Sequence, residues 1–177
     1  EAQDKPLEIW FQDEARIGQK GTLTRICANR RSRPRARRDT RYEWAYLFGA
    51  VCPERGVGAA LVLPQVNAEA MNLHLEDIGR SIAPVAHAAL VIDGAGWHSP
   101  TAIRPPNNVT LIYLPPYAPE LNPVENVWEF LRANNLALRI YETYDAIVDA
   151  CCTAWNSLIA TPARLTSITQ RKWATAS

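Results

Sequence analysis

The sequence predicts an α/β domain built on a mixed five-stranded sheet with helices on both faces. Three observations predict it. Five short apolar runs are bounded by Gly, Pro, Asn or Asp, the pattern of strands buried in a sheet. Three of these runs precede any helical pattern, which suggests an antiparallel meander. The last two alternate with segments of helical spacing, which suggests parallel crossovers.

Taken in order, the strands are expected at Leu7–Gln12, Glu43–Val51, Gly58–Leu63, Ala88–Asp93 and Val109–Leu114. Asn67 can cap a helix that places Met71, Leu75, Ile78 and Ile82 on one face. A short helical piece is expected after Ser99-Pro100, ending before Pro105-Pro106. Asn122-Pro123 opens another helix, with Asn at the cap and Pro at the first helical position, and Val124, Trp128 and Leu131 mark its apolar face. Thr143 opens the last, on which Ile147, Cys151, Trp155 and Leu158 recur at helical spacing.

A length of 177 residues suits one domain, spanning residues 1–177, with a sizeable core. A hydrophobic fraction of 47% and a charged fraction of 21% are ordinary for a soluble globular protein. No apolar run approaches the roughly 20 residues that a membrane-spanning helix needs, so no membrane partner is expected. The opening Glu1-Ala2-Gln3-Asp4-Lys5 is not a secretory signal. The chain does not begin with Met, so a fragment or a processed chain is expected. The cysteines, Cys27, Cys52, Cys151 and Cys152, show no CxxC spacing, which disfavours zinc and makes a reduced, cytosolic setting the simplest reading.

The formal net charge of +1 hides a local asymmetry. Eight arginines and no lysine lie between positions 25 and 41, among them Arg30, Arg31, Arg33, Arg35, Arg37 and Arg38, opposed by Asp39 alone. This stretch reads as a long loop insert, residues 25–41, between the first two strands. Such a run can be a mere solvated loop. Guanidinium groups also bind phosphate in a forked geometry, which favours DNA contact here. Contacts of that kind give affinity and salt dependence rather than sequence choice.

Three acids stand in distinctive local contexts. Asp13 closes the apolar run Leu7–Gln12, Asp93 closes Ala88–Ile92 and precedes Gly94-Ala95-Gly96-Trp97-His98, and Glu125 lies within Asn122-Pro123-Val124-Glu125. Two strand-end aspartates and a helix-borne glutamate would supply the oxygen ligands that hard divalent cations want. Two cations about 4 Å apart can stabilise both the attacking and the leaving oxygen of an in-line phosphoryl displacement. Each acid also has a plainer reading. Asp favours turns and caps, and Asn122-x-x-Glu125 fits a capping box in which the glutamate reaches back to the cap's N–H. Glu14 and Glu129 are decoys, the first because neighbours on a strand point to opposite faces.

The segments Phe11-Gln12-Asp13-Glu14-Ala15-Arg16, Val91–His98 and Leu114-Pro115-Pro116-Tyr117-Ala118-Pro119-Glu120-Leu121-Asn122-Pro123-Val124-Glu125-Asn126-Val127-Trp128 resemble the catalytic domain of mariner-type DDE transposases. The likeness is greatest to the bacterial insertion-sequence branch, and the 31 residues between Asp93 and Glu125 fit that branch. The resemblance implies a ribonuclease H-like fold and a metal-binding, catalytic triad of Asp13, Asp93 and Glu125. It implies two Mg²⁺ ions, with Mn²⁺ as a substitute, and DNA as partner, both transposon ends and target. It further implies a homodimer in the active complex and a setting in the bacterial cytoplasm, at the nucleoid. Helix-turn-helix modules usually precede this domain in the family, and none precedes Leu7 here. His98 is an accessory candidate that could orient water or contact phosphate, or serve simply as a hydrogen-bonded loop residue. Trp97 is expected to pack, with base stacking as its functional alternative.

Three rivals stay open on sequence grounds. A ribonuclease H-like nuclease would cleave without joining. A non-catalytic relative would only bind nucleic acid. A glycosidase could use paired carboxylates but has no use for the arginine loop.

Overall fold

A computed structural model describes residues 5–19, 42–96, 101–116, 118–136 and 139–171. Its sheet contains β1 (Leu7–Gly18), β2 (Trp44–Cys52), β3 (Val57–Leu63), β4 (His87–Ile92) and β5 (Val109–Tyr113). The strand order is β3-β2-β1-β4-β5. β1 pairs antiparallel with β2, and β2 with β3, while β4 runs parallel to both β1 and β5. The meander and the parallel crossovers are thus both present, in the mixed five-stranded sheet that the sequence predicts.

Helices cover both faces. On one side lies α1 (Ala68–Ser81), whose Met71, Leu75 and Ile78 pack with Trp10, Phe48, Leu90 and Ile92 of the strands. Asn67 caps it, its side-chain oxygen accepting from the Ala70 N–H at 2.8 Å. On the other side lie α2 (Val124–Leu131), α3 (Tyr144–Ile159) and α4 (Pro162–Thr169), packed over Phe11, Ala15, Leu47, Val51 and Val91. Thr143 caps α3 as expected, accepting from the Ala146 N–H at 3.2 Å. Cys151 is buried in that helix as a small apolar residue, while Cys152 faces outward.

The structure corrects four expectations. β1 does not stop at Gln12 but runs on to Gly18, because β2 continues to pair with it through Gly18↔Trp44. Asp13 therefore lies within a strand and not at its end. Thr101 to Pro106 form a turn and irregular chain, not a helix; prolines 105 and 106 lack the N–H groups that would continue one. α4 was not anticipated: eight residues with a single fully buried apolar side chain, Leu165, leave almost no periodic signal. The predicted capping box is not formed, for a reason visible at the site.

Candidate active site

Strand register brings the two aspartates together. The parallel ladder between β1 and β4 pairs Leu7 with His87 and ends at Phe11↔Val91. Asp13 and Asp93 each lie two residues beyond that last pair, Asp93 just past the end of β4, and both line one cavity. Side chains alternate along a strand. Asp13 shares the parity of Phe11, and Asp93 that of Val91, and both of those pack against the α2–α4 layer. The two acids therefore emerge on the same face, beneath α2. Glu14 lies on the opposite face, where its Oε1 accepts from Gln12 Nε2 at 3.0 Å.

Glu125 joins them from the first turn of α2. The cap position of α2 is Pro123, one residue later than expected, and Asn122 Oδ1 accepts from the Val124 N–H at 3.2 Å just ahead of the helix. Its own N–H is given to the Pro119 carbonyl at 2.9 Å, in a short 3₁₀ turn over Pro119–Leu121. No donor is left at the cap for Glu125, and so the capping box does not form. The Glu125 carboxylate turns instead toward a cavity of about 440 Å³ lined by Asp13, Asp93, Glu125, Leu114, Asn122 and the prolines of Pro115–Pro119. Glu129, the decoy one turn on, is exposed and does not line this cavity.

Asp13 is a strongly perturbed acid. Burial raises its pKa from an ordinary 3.8 to about 7, opposed by the Trp128 hydrogen bond and assisted by the negative charges of Glu125 and Glu14. The Trp128 Nε1–H donates to Asp13 Oδ2 at 2.8 Å. Asp93 Oδ1 accepts from the Ala95 N–H at 3.1 Å, so this carboxylate also organises the turn that follows β4. A Cβ built on Gly94 or Gly96 would meet nothing within 4 Å, so the backbone beyond Asp93 is open to approach.

The donor set around the cavity is all carboxylate oxygen, which suits a hard divalent cation. Among the described residues, no three His, Cys, Asp or Glu side chains converge closely enough to form a ready-made ligand cluster. His98, Trp97 and all the candidate DNA-binding arginines, Arg30, Arg31, Arg33, Arg35, Arg37 and Arg38, lie outside the described residues. Among those described, no helix is long and apolar enough to cross a membrane.

Sequence reasoning placed Trp128 in the core and Asn122 at a cap, and missed that both reach β1. Asn122 Nδ2 donates to the Gln12 carbonyl at 2.9 Å. A buried tryptophan one turn beyond an acid was the available signal, since its N–H must find an acceptor.

The chain is similar to known proteins in sequence and in fold. Residues 8–148 match the family described as DDE superfamily endonuclease. The chain is 56% identical, over 131 residues covering 74% of it and 97% of the relative, to the uncharacterized protein y4pE/y4sA of Sinorhizobium fredii (strain NBRC 101917 / NGR234). Its fold is similar to the Mos1 mariner paired-end complex with Mn, with a TM-score of 0.62, 17% identity and coverage of 93% of this chain and 56% of that one. The Mos1 strand transfer complex gives a TM-score of 0.58 at 17% identity, covering 93% and 55%. The chain thus spans about half the length of the Mos1 chains it matches. By the family match over most of its length, the chain belongs to the DDE superfamily endonucleases.

Proposed function

We propose that this chain is a transposase catalytic domain that cleaves DNA at transposon ends and transfers the freed strand to target DNA. The observation that carries the reading is that Asp13, Asp93 and Glu125, far apart in sequence, line one cavity. Ribonuclease H-like architecture and membership of a DDE endonuclease family support it.

In this reading Asp13, Asp93 and Glu125 hold two divalent cations, Mg²⁺ or Mn²⁺. When bound, such ions supply activation of a water for attack on a phosphodiester and stabilisation of the leaving 3′ oxygen. The protein's own residues do the rest. With a pKa of about 7, Asp13 gives up its proton readily near neutral pH and so offers a charged ligand when a cation approaches. Asp93, anchored by its own turn, presents its carboxylate at the end of β4. Glu125, held off the helix cap, faces the cavity from α2. The freed 3′ hydroxyl then attacks target DNA at the same site. The arginines between positions 25 and 41 bind DNA phosphates, with His98 as an accessory contact, and the active assembly is a homodimer. Recognition of a particular end sequence belongs to a separate DNA-reading module. The setting is the bacterial cytoplasm, where the nucleoid lies.

The test is to incubate the protein with element-end DNA and Mg²⁺ or Mn²⁺, supplying end recognition in trans, and to compare it with Asp93→Asn. Nicking and joining that depend on metal and vanish in the variant are expected. Metal-dependent cleavage without joining would replace the proposal with a simple nuclease. DNA binding alone, indifferent to the substitution, would make the chain a non-catalytic binding relative.

A further inference from the structure

Two hydrogen bonds tie α2 to consecutive residues of β1. Asn122 Nδ2 donates to the Gln12 carbonyl at 2.9 Å, and Trp128 Nε1 to Asp13 Oδ2 at 2.8 Å. Both donors are almost fully buried, at 4% and 2% exposure, so neither bond competes with bulk water. They also bracket Glu125: Asn122 lies three residues before it and Trp128 three residues after it, each about one turn away.

The indole has little freedom to leave Asp13. Residue 49, paired directly with Asp13 across β1 and β2, is glycine, and a Cβ there would stand 2.5 Å from Trp128 Cη2. The ring therefore lies flush on the strand backbone beside the acid. Trp155 lies beside it over the same glycine, with ring centroids 6.3 Å apart. Contact with the strand and with Trp155 thus fixes where the N–H points. A carboxylate offers about four acceptor positions, so a single indole N–H orients Asp13 without exhausting it. Asn122 in turn uses both ends of its amide, the oxygen to start α2 and the nitrogen to hold that start against β1.

We propose that Trp128 and Asn122 are positioning residues of the carboxylate site: the indole fixes the orientation of Asp13, and the amide fixes the height at which α2 presents Glu125 to it. The proposal rests on the reading of Asp13, Asp93 and Glu125 as cation ligands. It explains why an asparagine precedes Pro123, where Ser or Asp would cap equally well: the amide accepts from Val124 with one atom and donates to Gln12 with another, at a longer reach than a hydroxyl has. It also explains why a tryptophan occupies a core position that an aliphatic residue could fill.

Mn²⁺ affinity of the whole chain, read from the electron paramagnetic resonance signal of free Mn²⁺ without DNA, tests this. Four substitutions are compared, each with a thermal melt. Trp128→Phe keeps an aromatic ring and removes the N–H. Asn122→Ser keeps a cap acceptor but replaces two polar atoms by one on a shorter side chain, which breaks the bridge from the Val124 N–H to the Gln12 carbonyl. Trp155→Phe perturbs the same aromatic cluster without touching Asp13. Asp13→Asn tests the underlying reading. Groups that orient metal ligands typically contribute 10–100-fold in affinity. We therefore expect Trp128→Phe and Asn122→Ser to weaken Mn²⁺ binding about 10-fold or more and Trp155→Phe to leave it within about twofold. If Trp128→Phe does not fold, Asn122→Ser against Trp155→Phe decides the question. Affinity unchanged by both positioning variants, yet lost in Asp13→Asn, would overturn the positioning role alone. Affinity unchanged in Asp13→Asn would overturn the reading beneath it.

Discussion

Without a cation, Asp13 is a liability to the fold at neutral pH, and replacing it by asparagine should stabilise the protein. The carboxyl has an ordinary value of 3.8 and a folded value of about 7. A raised folded value means that the folded chain prefers the protonated acid. Its contribution to stability is full below about pH 4 and is lost as pH rises through about 7. At 1.36 kcal/mol per pH unit, the loss is about 1.5 kcal/mol at pH 5 and about 4 kcal/mol at pH 8. Asparagine is neutral throughout and keeps an oxygen to accept from Trp128. Urea denaturation of both proteins in EDTA, at pH 5, 6, 7 and 8, gives the difference directly, and any group common to both cancels. Asp13→Asn should gain on the wild type by about 2–3 kcal/mol between pH 5 and pH 8. Saturating Mn²⁺, near 100 times its Kd, should restore about 2.7 kcal/mol to the wild type at pH 8 and little to the variant. A difference that stays flat with pH would refute the reasoning, because it would mean that Asp13 is not buried beside like charges.

Three further substitutions test the fold. His74 is fully buried between α1 and the sheet, with neither ring nitrogen in hydrogen-bonding geometry, and burial lowers its pKa from 6.5 to about 3 against a weaker opposing effect of the Gly49 backbone. Stability is therefore lost as pH falls from 6.5 toward 3, and His74→Leu should hold an advantage over wild type about 2 kcal/mol larger at pH 5 than at pH 7; equal advantages at the two pH values would count against it. Val85 has a φ of 63° in a turn closed by the Ala86 N–H donating to the Ala83 carbonyl at 3.1 Å, a conformation that β-branched residues disfavour. It is 79% exposed, so Val85→Asn should gain about 1 kcal/mol in denaturant melts, and a loss would show that the turn is not strained. Gly49→Ala would drive a methyl to 2.5 Å from Trp128 and 3.0 Å from Trp155, with an expected cost of about 1–3 kcal/mol; a neutral melt would mean that the two indoles are not held against the strand.

Legibility in the sequence followed the strength of the local signal. Apolar runs between turn residues located all five strands, and Asn67 and Thr143 announced their helices because each cap satisfies an otherwise unpaired N–H. The three carboxylates could be singled out because each sits beside a strongly patterned segment. Their common face could not be read directly, since it depends on the register Phe11↔Val91, which is fixed across the sheet and not along the chain. For the same reason β1 looked as though it ended at Gln12: its apolar run gives way to Asp13-Glu14 where the β4 pairing ends, although β2 carries it on. The capping box was a sound local inference overturned by a neighbour, the Pro119 carbonyl, that takes the N–H first. The indole and amide bonds to residues 12 and 13 span more than a hundred positions, beyond the reach of any spacing rule.

The claim on which the account turns is that Asp13, Asp93 and Glu125 together hold divalent cations. Crystals of the protein soaked in Mn²⁺ and measured at the manganese absorption edge test it most directly. The account predicts anomalous peaks within the cavity, each bound by carboxylate oxygens of this trio, with all three acids engaged. Peaks confined to other surfaces, with the three side chains left apart in Mn²⁺ well above millimolar concentration, would contradict it.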